Sequence, residues 1–495
     1  AIGIYEKALR DHPREHELIE GLRRSRVHFS VERRYSDKTY TRSLLAMPSQ
    51  DAMEVFRAVY ESMQKHYIEP TATATPYTAH GTESLYFALN NERFLEHNVT
   101  AERRADAPAV RRILRDQYWN RSTADLASAR RLINEVASLC KDRLGIAPTA
   151  VVMEYVFGGC NSLDDYSGFL SPGRYKELTG NIEGEFVGIG IVMKGEADAG
   201  VVIREVLPKS PAEEGGLKSG DRIIGVNGVD CRKKTLDETA SLLQGQPGSR
   251  VNLEVLRGGE PFRTGMTRRA VTVKSIPEAR IIDSAAGVGY IRMTSFQQST
   301  TQEFDSALLS LNQQGMRSLV WDLRGNPGGL LDTAAEVLDR LIPEGNTLVT
   351  TEGRLAEDNS RFTSHRGGKW NMPLVVLVDG DSASASEIVA GAIRDHRRGW
   401  IVGRRTYGKW SVQRVFGLGV RTSNGLEKCG LRLTVARFYS PNHQHFSKVG
   451  LAPHFVVQET RPENDAIFAR NVDPATDPDL QKALEVLRRP DFASR

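Results

Sequence analysis

Three serines, Ser382, Ser384 and Ser386, open the segment 381–413, and Lys409 stands near its end. The segment reads as a turn, a helix, a short strand and a second turn. A hydroxyl and an amine held on two such turns make a nucleophile and its base. The amine must then be neutral, whereas a free lysine titrates near ~10.4. Burial without a carboxylate partner lowers that value, because desolvation disfavours the charged form. The pairing therefore predicts a Lys409 that is largely buried and has no close acid. Spacing alone does not choose among the serines, since any of them could cap the helix instead. Ser384 with Glu387 completes the S-x-x-E pattern of a capping box.

A second stretch could supply the rest of such a site. Arg324-Gly325-Asn326-Pro327-Gly328-Gly329 follows an apolar run and leads into a helical pattern. Glycine-rich turns entering helices leave backbone N–H groups free for a phosphate or an oxyanion. Gly403 to Lys409 matches the first seven positions of a phosphate-binding loop, G-x-x-x-x-G-K. The next position should be Ser or Thr, and it is Trp410. The following SVQRVFGLG reads as a strand rather than a helix, so nucleotide binding is set aside.

The elements that must position these residues follow from periodicity. Residues 1–150 are helical; Met53, Phe56, Val59, Tyr60 and Met63 share one face. Residues 151–183 begin a second region. From 184 to 268, short apolar runs alternate with glycine-rich turns, which means a β domain with one main helix. Thr235 and Glu238 form a capping box at that helix start. Residues 269–460 alternate strand and helix; SLVWDLR and PLVVLVD are near-continuous apolar runs, the mark of a parallel sheet covered on both faces. LRLTVARFYSP and HFVV read as closing strands, and 461–495 as a tail with a short surface helix. Active residues of such sheets gather at the carboxyl ends of the strands.

Bulk properties narrow the function. A chain of 495 residues with a net charge of +4 is a multidomain protein without a strong basic bias. Its arginine-containing segments, such as 103–116, are interrupted by acids and read as solvated helix faces. A dedicated nucleic-acid binder is thereby disfavoured. Cys140, Cys160, Cys231 and Cys429 form no C-x-x-C pair, which argues against zinc and leaves free thiols and long-range bridges both open. No apolar run reaches the roughly 18 residues of a membrane span. No signal peptide is visible in a chain that begins at Ala1.

Two resemblances add to this reading. The block 184–268, with GEFVGIGI and AGVVIREVLPKSPAEEGGLKSGDRIIGVNG, resembles a PDZ domain. That implies a carboxylate-binding loop at Val187, Gly188, Ile189 and Gly190, followed by a strand that pairs with a peptide. SASASEIVAGAIRD and GRRTYGKWSVQ, with SLDDYSGFLSP and DLRGNPGGLL in order, resemble the carboxyl-terminal processing, or tail-specific, proteases. These are Ser–Lys peptidases, and the likeness runs from about residue 51 to 457. It implies a multidomain α+β chain: helical N-terminal region, PDZ-like domain inserted ahead of an α/β protease core, mainly parallel sheet. It implies Ser384 as nucleophile, Lys409 as base, Gln413 orienting the lysine and Asp395 as structural support. Backbone N–H groups of Gly328 or Gly329, and of Ala385, would form the oxyanion hole. The expected partners are proteins or peptides with free C-termini, with no metal, nucleotide or other cofactor. The expected place is the periplasm or cell envelope, and the N-terminal helices are expected to serve homo-oligomerisation or docking. Trp410 departs from the family glycine after the lysine, and it favours the alternative, a PDZ-type binding or scaffold protein with an inactive core. An esterase would share the chemistry but leave the PDZ block without a role.

Overall fold

The computed structural model describes all residues except 1, 13, 197–198, 235, 246, 367, 423–424, 459–472 and 490–495. The expected cap at Thr235 falls outside the described residues. The chain forms two compact units, Ala1–Glu177 with Gln413–Val435, and Leu178–Val412 with Ala436–Arg495. These cut across the boundaries at 150 and 269–460 read from the sequence. The reason is pairing that is remote along the chain. Within the first unit Ile68 donates its N–H to Thr434 O, Arg432 Nε donates to Tyr166 O, and Gly168–Leu170 pairs antiparallel with residues 430–432.

The first unit is otherwise helical. Helix Ser49–His66 buries Met53, Phe56, Val59, Tyr60 and Met63, the face expected from its period. Helix Pro148–Gly159 is apolar on nearly every side and buried among its neighbours. Its one charge, Glu154, is fully buried and accepts from Arg34 Nη2 at 2.6 Å and Ser84 Oγ at 2.8 Å. All four cysteines are buried free thiols.

The second unit holds two six-stranded sheets with separate cores. The inserted β domain has strand order Ile191–Glu196, Gly200–Val206, Arg222–Val226, Arg250–Arg257, Glu260–Thr267, all antiparallel. Ile203, Ile223, Val251 and Val255 fill its interior. Glu185–Gly188 pairs with Arg269–Thr272, closing the ends of the insertion on each other. The larger sheet runs Glu278–Asp283, Val288–Arg292, Ser318–Asp322, Leu374–Val378, Trp400–Gly403, Phe455–Val456. Its first pair is antiparallel and the rest are parallel. Ser318–Asp322 and Leu374–Val378 are buried at every residue, as continuous apolar runs require. Helices Thr300–Gln313, Leu331–Leu338 and Ala385–Asp395 cover one face.

Two expectations are corrected. Helix Pro478–Leu487 is not a surface helix: Leu480, Ala483 and Val486 are buried against Val320, Val375 and Leu377 on the sheet's other face. A parallel strand needs cover on both sides, and the tail provides it. LRLTVARFYSP does not close the parallel sheet either. Residues 436–439 pair antiparallel with 350–353 outside it.

Candidate active site

Strands Ser318–Asp322 and Leu374–Val378 run parallel, with Asp322 beside Leu377. Their carboxyl ends therefore release two loops side by side, and serines stitch these together. Ser382 Oγ donates to Leu323 O at 2.8 Å, and Ser386 Oγ donates to Asn326 O at 2.9 Å. Ala383 donates its N–H to the same Asn326 carbonyl. Both hydroxyls are fully buried and engaged in structure. Gly325 N–H donates to Asp379, whose carboxyl burial pushes up despite backbone donors.

Ser384 differs from its neighbours. It is half-buried, precedes helix Ala385–Asp395, and has φ 55° and ψ −114°. A side chain in that region costs about 1–3 kcal/mol and persists only where surroundings impose it. Ser384 Oγ makes no capping hydrogen bond. Half of the expected capping box is present: Glu387 Oε2 accepts the Ser384 N–H at 3.0 Å. The Glu387 N–H goes to the Ser384 carbonyl oxygen, at 2.8 Å. The geometry separates three serines that spacing left equivalent.

Gly328, at φ 100°, lies directly against this turn. A Cβ placed there would stand 2.8 Å from Ser384 Cβ and 2.9 Å from Ala385 N. Gly328 N–H itself donates to Asn326 Oδ1 at 2.9 Å, so it is not a free oxyanion donor. Among the described residues, no acceptor takes the N–H of Gly329 or of Ala385. The side chain of Asn326, which folds back onto its own loop, decides which glycine is available.

The lysine turn meets the serine turn through Glu387. This fully buried carboxylate accepts five donors. Oε1 takes Thr406 Oγ1 at 2.6 Å, Gly408 N at 2.8 Å and Trp410 Nε1 at 3.1 Å. Oε2 takes Lys409 N at 2.8 Å as well as Ser384 N. One oxygen thus holds both backbone amides, within about 6 Å of each other. Tyr407 N–H adds a bond to Ser382 O. Burial raises the Glu387 carboxyl, and the five donors offset only part of that. Lys409 is of intermediate burial, in a turn that reaches the surface at the exposed Tyr407. Glu387 binds the backbone of Lys409. The indole of Trp410 is turned inward at 1% exposure. It stacks on Phe438 at 4.8 Å and meets Phe446 edge-on at 5.0 Å.

The remaining predicted residues lie as follows. Asp395 ends the serine helix, where Oδ1 accepts from Arg394 and Oδ2 from Asn442 N. Gln413 belongs to the first unit, and its Nε2 donates to Thr434 Oγ1 at 3.2 Å. Val187 and Gly188 lie in the strand paired with residues 269–272 rather than in an open loop. Ile189 and Gly190 make the turn, with Ile189 packed in the β-domain core and Gly190 at φ 82°.

Sequence reasoning missed the ion cluster beneath the glycine loop. Arg324 binds Asp322, Asp477 and Asp479, and Arg404 also binds Asp479. Burial alone would raise Asp322, but Arg324 holds it below its usual range. The signal was present as two arginines at strand ends, but their partners in the tail are too distant in sequence to pair by inspection.

Comparison with known proteins gives a consistent picture. Residues 287–457 match peptidase family S41, and residues 202–257 match a PDZ domain. The carboxyl-terminal-processing protease of Synechocystis sp. is 36% identical over 332 residues, spanning 66% of this chain and 74% of that one. The carboxy-terminal-processing protease of Bartonella bacilliformis is 34% identical over 311 residues, 61% of this chain and 68% of that one. Among solved structures, a photosystem II D1 C-terminal processing protease matches with TM-score 0.42 and 24% identity, covering 83% of this chain and 95% of that chain.

Proposed function

The chain belongs to peptidase family S41, the carboxyl-terminal-processing proteases, and is a serine-type peptidase with a PDZ domain; we propose that it cleaves proteins presented by their C-terminal tails, using Ser384 and Lys409. The observation that carries this is the Ser384 turn. It is strained, its hydroxyl is not used for capping, and Glu387 ties it to the backbone of Lys409. Ser384 Oγ attacks the scissile carbonyl carbon, forming the O–C bond as its proton passes to Lys409 Nζ. Gly329 N–H and Ala385 N–H receive the oxyanion. The proton then goes to the leaving amine as the C–N bond breaks, and water, deprotonated by the lysine, releases the acid. Gln413 orients Lys409, and Asp395 holds the end of the serine helix.

The β domain supplies the tail site. Strand Ile191–Glu196 is at the sheet edge, where a peptide can add as a further strand. The Ile189–Gly190 turn before it would hold the terminal carboxylate, with Val187 and Gly188 as its base. Among the described residues no helix is long and apolar enough to cross a membrane. We place the protein in the periplasm or cell envelope, the habitual compartment of the family. The rival, a binding protein with a silent core, rested on Trp410, and that ring packs away into the core.

The test is cleavage of an unfolded protein with an apolar C-terminus. Ser384→Ala and Lys409→Ala should each lower the rate by about a thousandfold or more. Cleavage at the wild-type rate by either variant would remove that residue from the mechanism.

A further inference from the structure

The N-terminal helical unit carries a pocket that takes no part in this chemistry and lies outside residues 202–257 and 287–457. Its volume is about 500 Å³, within the range of small-molecule sites. One wall is aromatic: Tyr86 on helix Thr75–Ala88 meets Trp119 edge to face at 5.1 Å. The other is cationic. Arg23 and Arg24 come from helix His16–Ser36, Arg111 from helix Ala107–Ile113, and Arg115 from the π-helical turn Leu114–Tyr118. Such π-turns recur at functional sites because they break the helical register.

The charges do not balance. Glu83 is the lining carboxylate, nearly fully buried, and it accepts from Arg23 Nη1 at 2.6 Å. Arg115 pairs with the exposed Asp116, a weak partnership in water. Arg111 is fixed by neutral acceptors, Nε to Tyr86 O at 3.1 Å and Nη1 to Asn90 Oδ1 at 3.0 Å. Its guanidinium lies 4.2 Å from the centre of the Tyr86 ring. It is therefore held in place while its charge stays unmet. Arg24 makes no hydrogen bond or close ion pair among the described residues, its charge partner being Glu20 one turn back on the same helix. The solvated faces read from the sequence are, at Arg111, one side of a concave site.

We propose that this pocket binds a small planar anion, an aromatic ring carrying a carboxylate or a phosphate. The ring lies against Tyr86 and Trp119, and the charge is met by Arg24 and Arg111. Guanidinium groups suit either anion because their fork matches carboxylate and phosphate oxygens alike. The proposal stands apart from the peptidase reading and does not need it.

The experiment uses the full chain and isothermal calorimetry, with quenching of tryptophan fluorescence as a second readout. The probes are AMP and indole-3-acetate, which separate a phosphate source from a carboxylate source, with adenosine and inorganic phosphate as the two halves. At least one ring-bearing anion should bind below about 1 mM, and each half should bind roughly tenfold more weakly or worse. Arg24→Gln, at an exposed position that does not threaten folding, and Arg111→Ala should each weaken binding roughly tenfold, the usual effect of losing a charged hydrogen bond. Trp119→Phe should remove the quenching while calorimetric binding persists. The proposal is overturned if neither ring anion binds below about 1 mM. Equal binding of adenosine or phosphate, or unchanged affinity in Arg24→Gln, would overturn it as well.

Discussion

Glu387 is held where burial works against its charge, yet five donors converge on it. A carboxyl raised in the folded state takes up a proton at a pH where the unfolded chain is still ionised. Its stabilising contribution is therefore complete below the ordinary value of 4.5 and is lost as pH rises through the folded value. Activity should move the other way, because a protonated Glu387 accepts its donors poorly and releases both turns. The lower acid limb of the pH–rate profile, beneath the one set by deprotonation of Lys409, should lie above 4.5. Glu387→Gln places an amide nitrogen against at least two N–H donors. It should cost about 2–4 kcal/mol in denaturant unfolding. Misplacement of the two turns should also lower kcat by about a hundredfold. Trp410→Phe removes one donor and keeps most of the packing. It should cost about 1 kcal/mol and move the lower acid limb to higher pH, since one acceptor bond to the charged form is gone. A lower acid limb that does not move would deny the indole N–H any role at the site. None of this was legible in the sequence beyond S-x-x-E. The pattern gave Glu387 one partner, whereas Gly408, Lys409 and Trp410 reach it only through tertiary folding.

The strand–loop–helix units were legible because their cause is local. Continuous apolar runs mark strands covered on both faces, and the glycine-rich loops and helices follow directly. Which N–H points free was not legible, because Asn326 takes that of Gly328 from two residues away. Gly328 still matters, through space rather than as a donor. Gly328→Ala would meet Ser384 Cβ and Ala383 O at 2.8 Å and take a positive φ. Proteolysis should fall by about a hundredfold or more while circular dichroism stays native; retained activity would show that the serine turn tolerates displacement. In the β domain, a Cβ on Gly190 would stand 2.2 Å from Ser210 Cβ, again at positive φ. Gly190→Ala should weaken binding of a labelled C-terminal peptide by roughly tenfold or more in fluorescence anisotropy. It should leave hydrolysis of a short peptide that does not need the β domain unchanged.

At the scale of the whole chain, the tail acts as structure. Helix Pro478–Leu487 covers the open sheet face, and Asp479 holds Arg324 and Arg404 at the strand ends that carry the loops. Asp479→Ala leaves a nearly buried Arg324 with one partner fewer. Removing one member of a buried ion cluster should cost about 3–5 kcal/mol, read in thermal or denaturant unfolding. Unchanged stability would make the tail a passive cover. Pairing between distant segments is also what the sequence could not display. The unit that contains Gln413–Val435 is set by strand partners hundreds of positions away, and no local period encodes them. The central claim, that Ser384 is a nucleophile activated by Lys409, is tested most directly on the intact chain. A fluorophosphonate reagent followed by peptide mass spectrometry should place the adduct on Ser384 alone. The adduct should be absent from folded Lys409→Ala. Labelling of Ser382 or Ser386, or undiminished labelling of Ser384 without the lysine, would contradict the account.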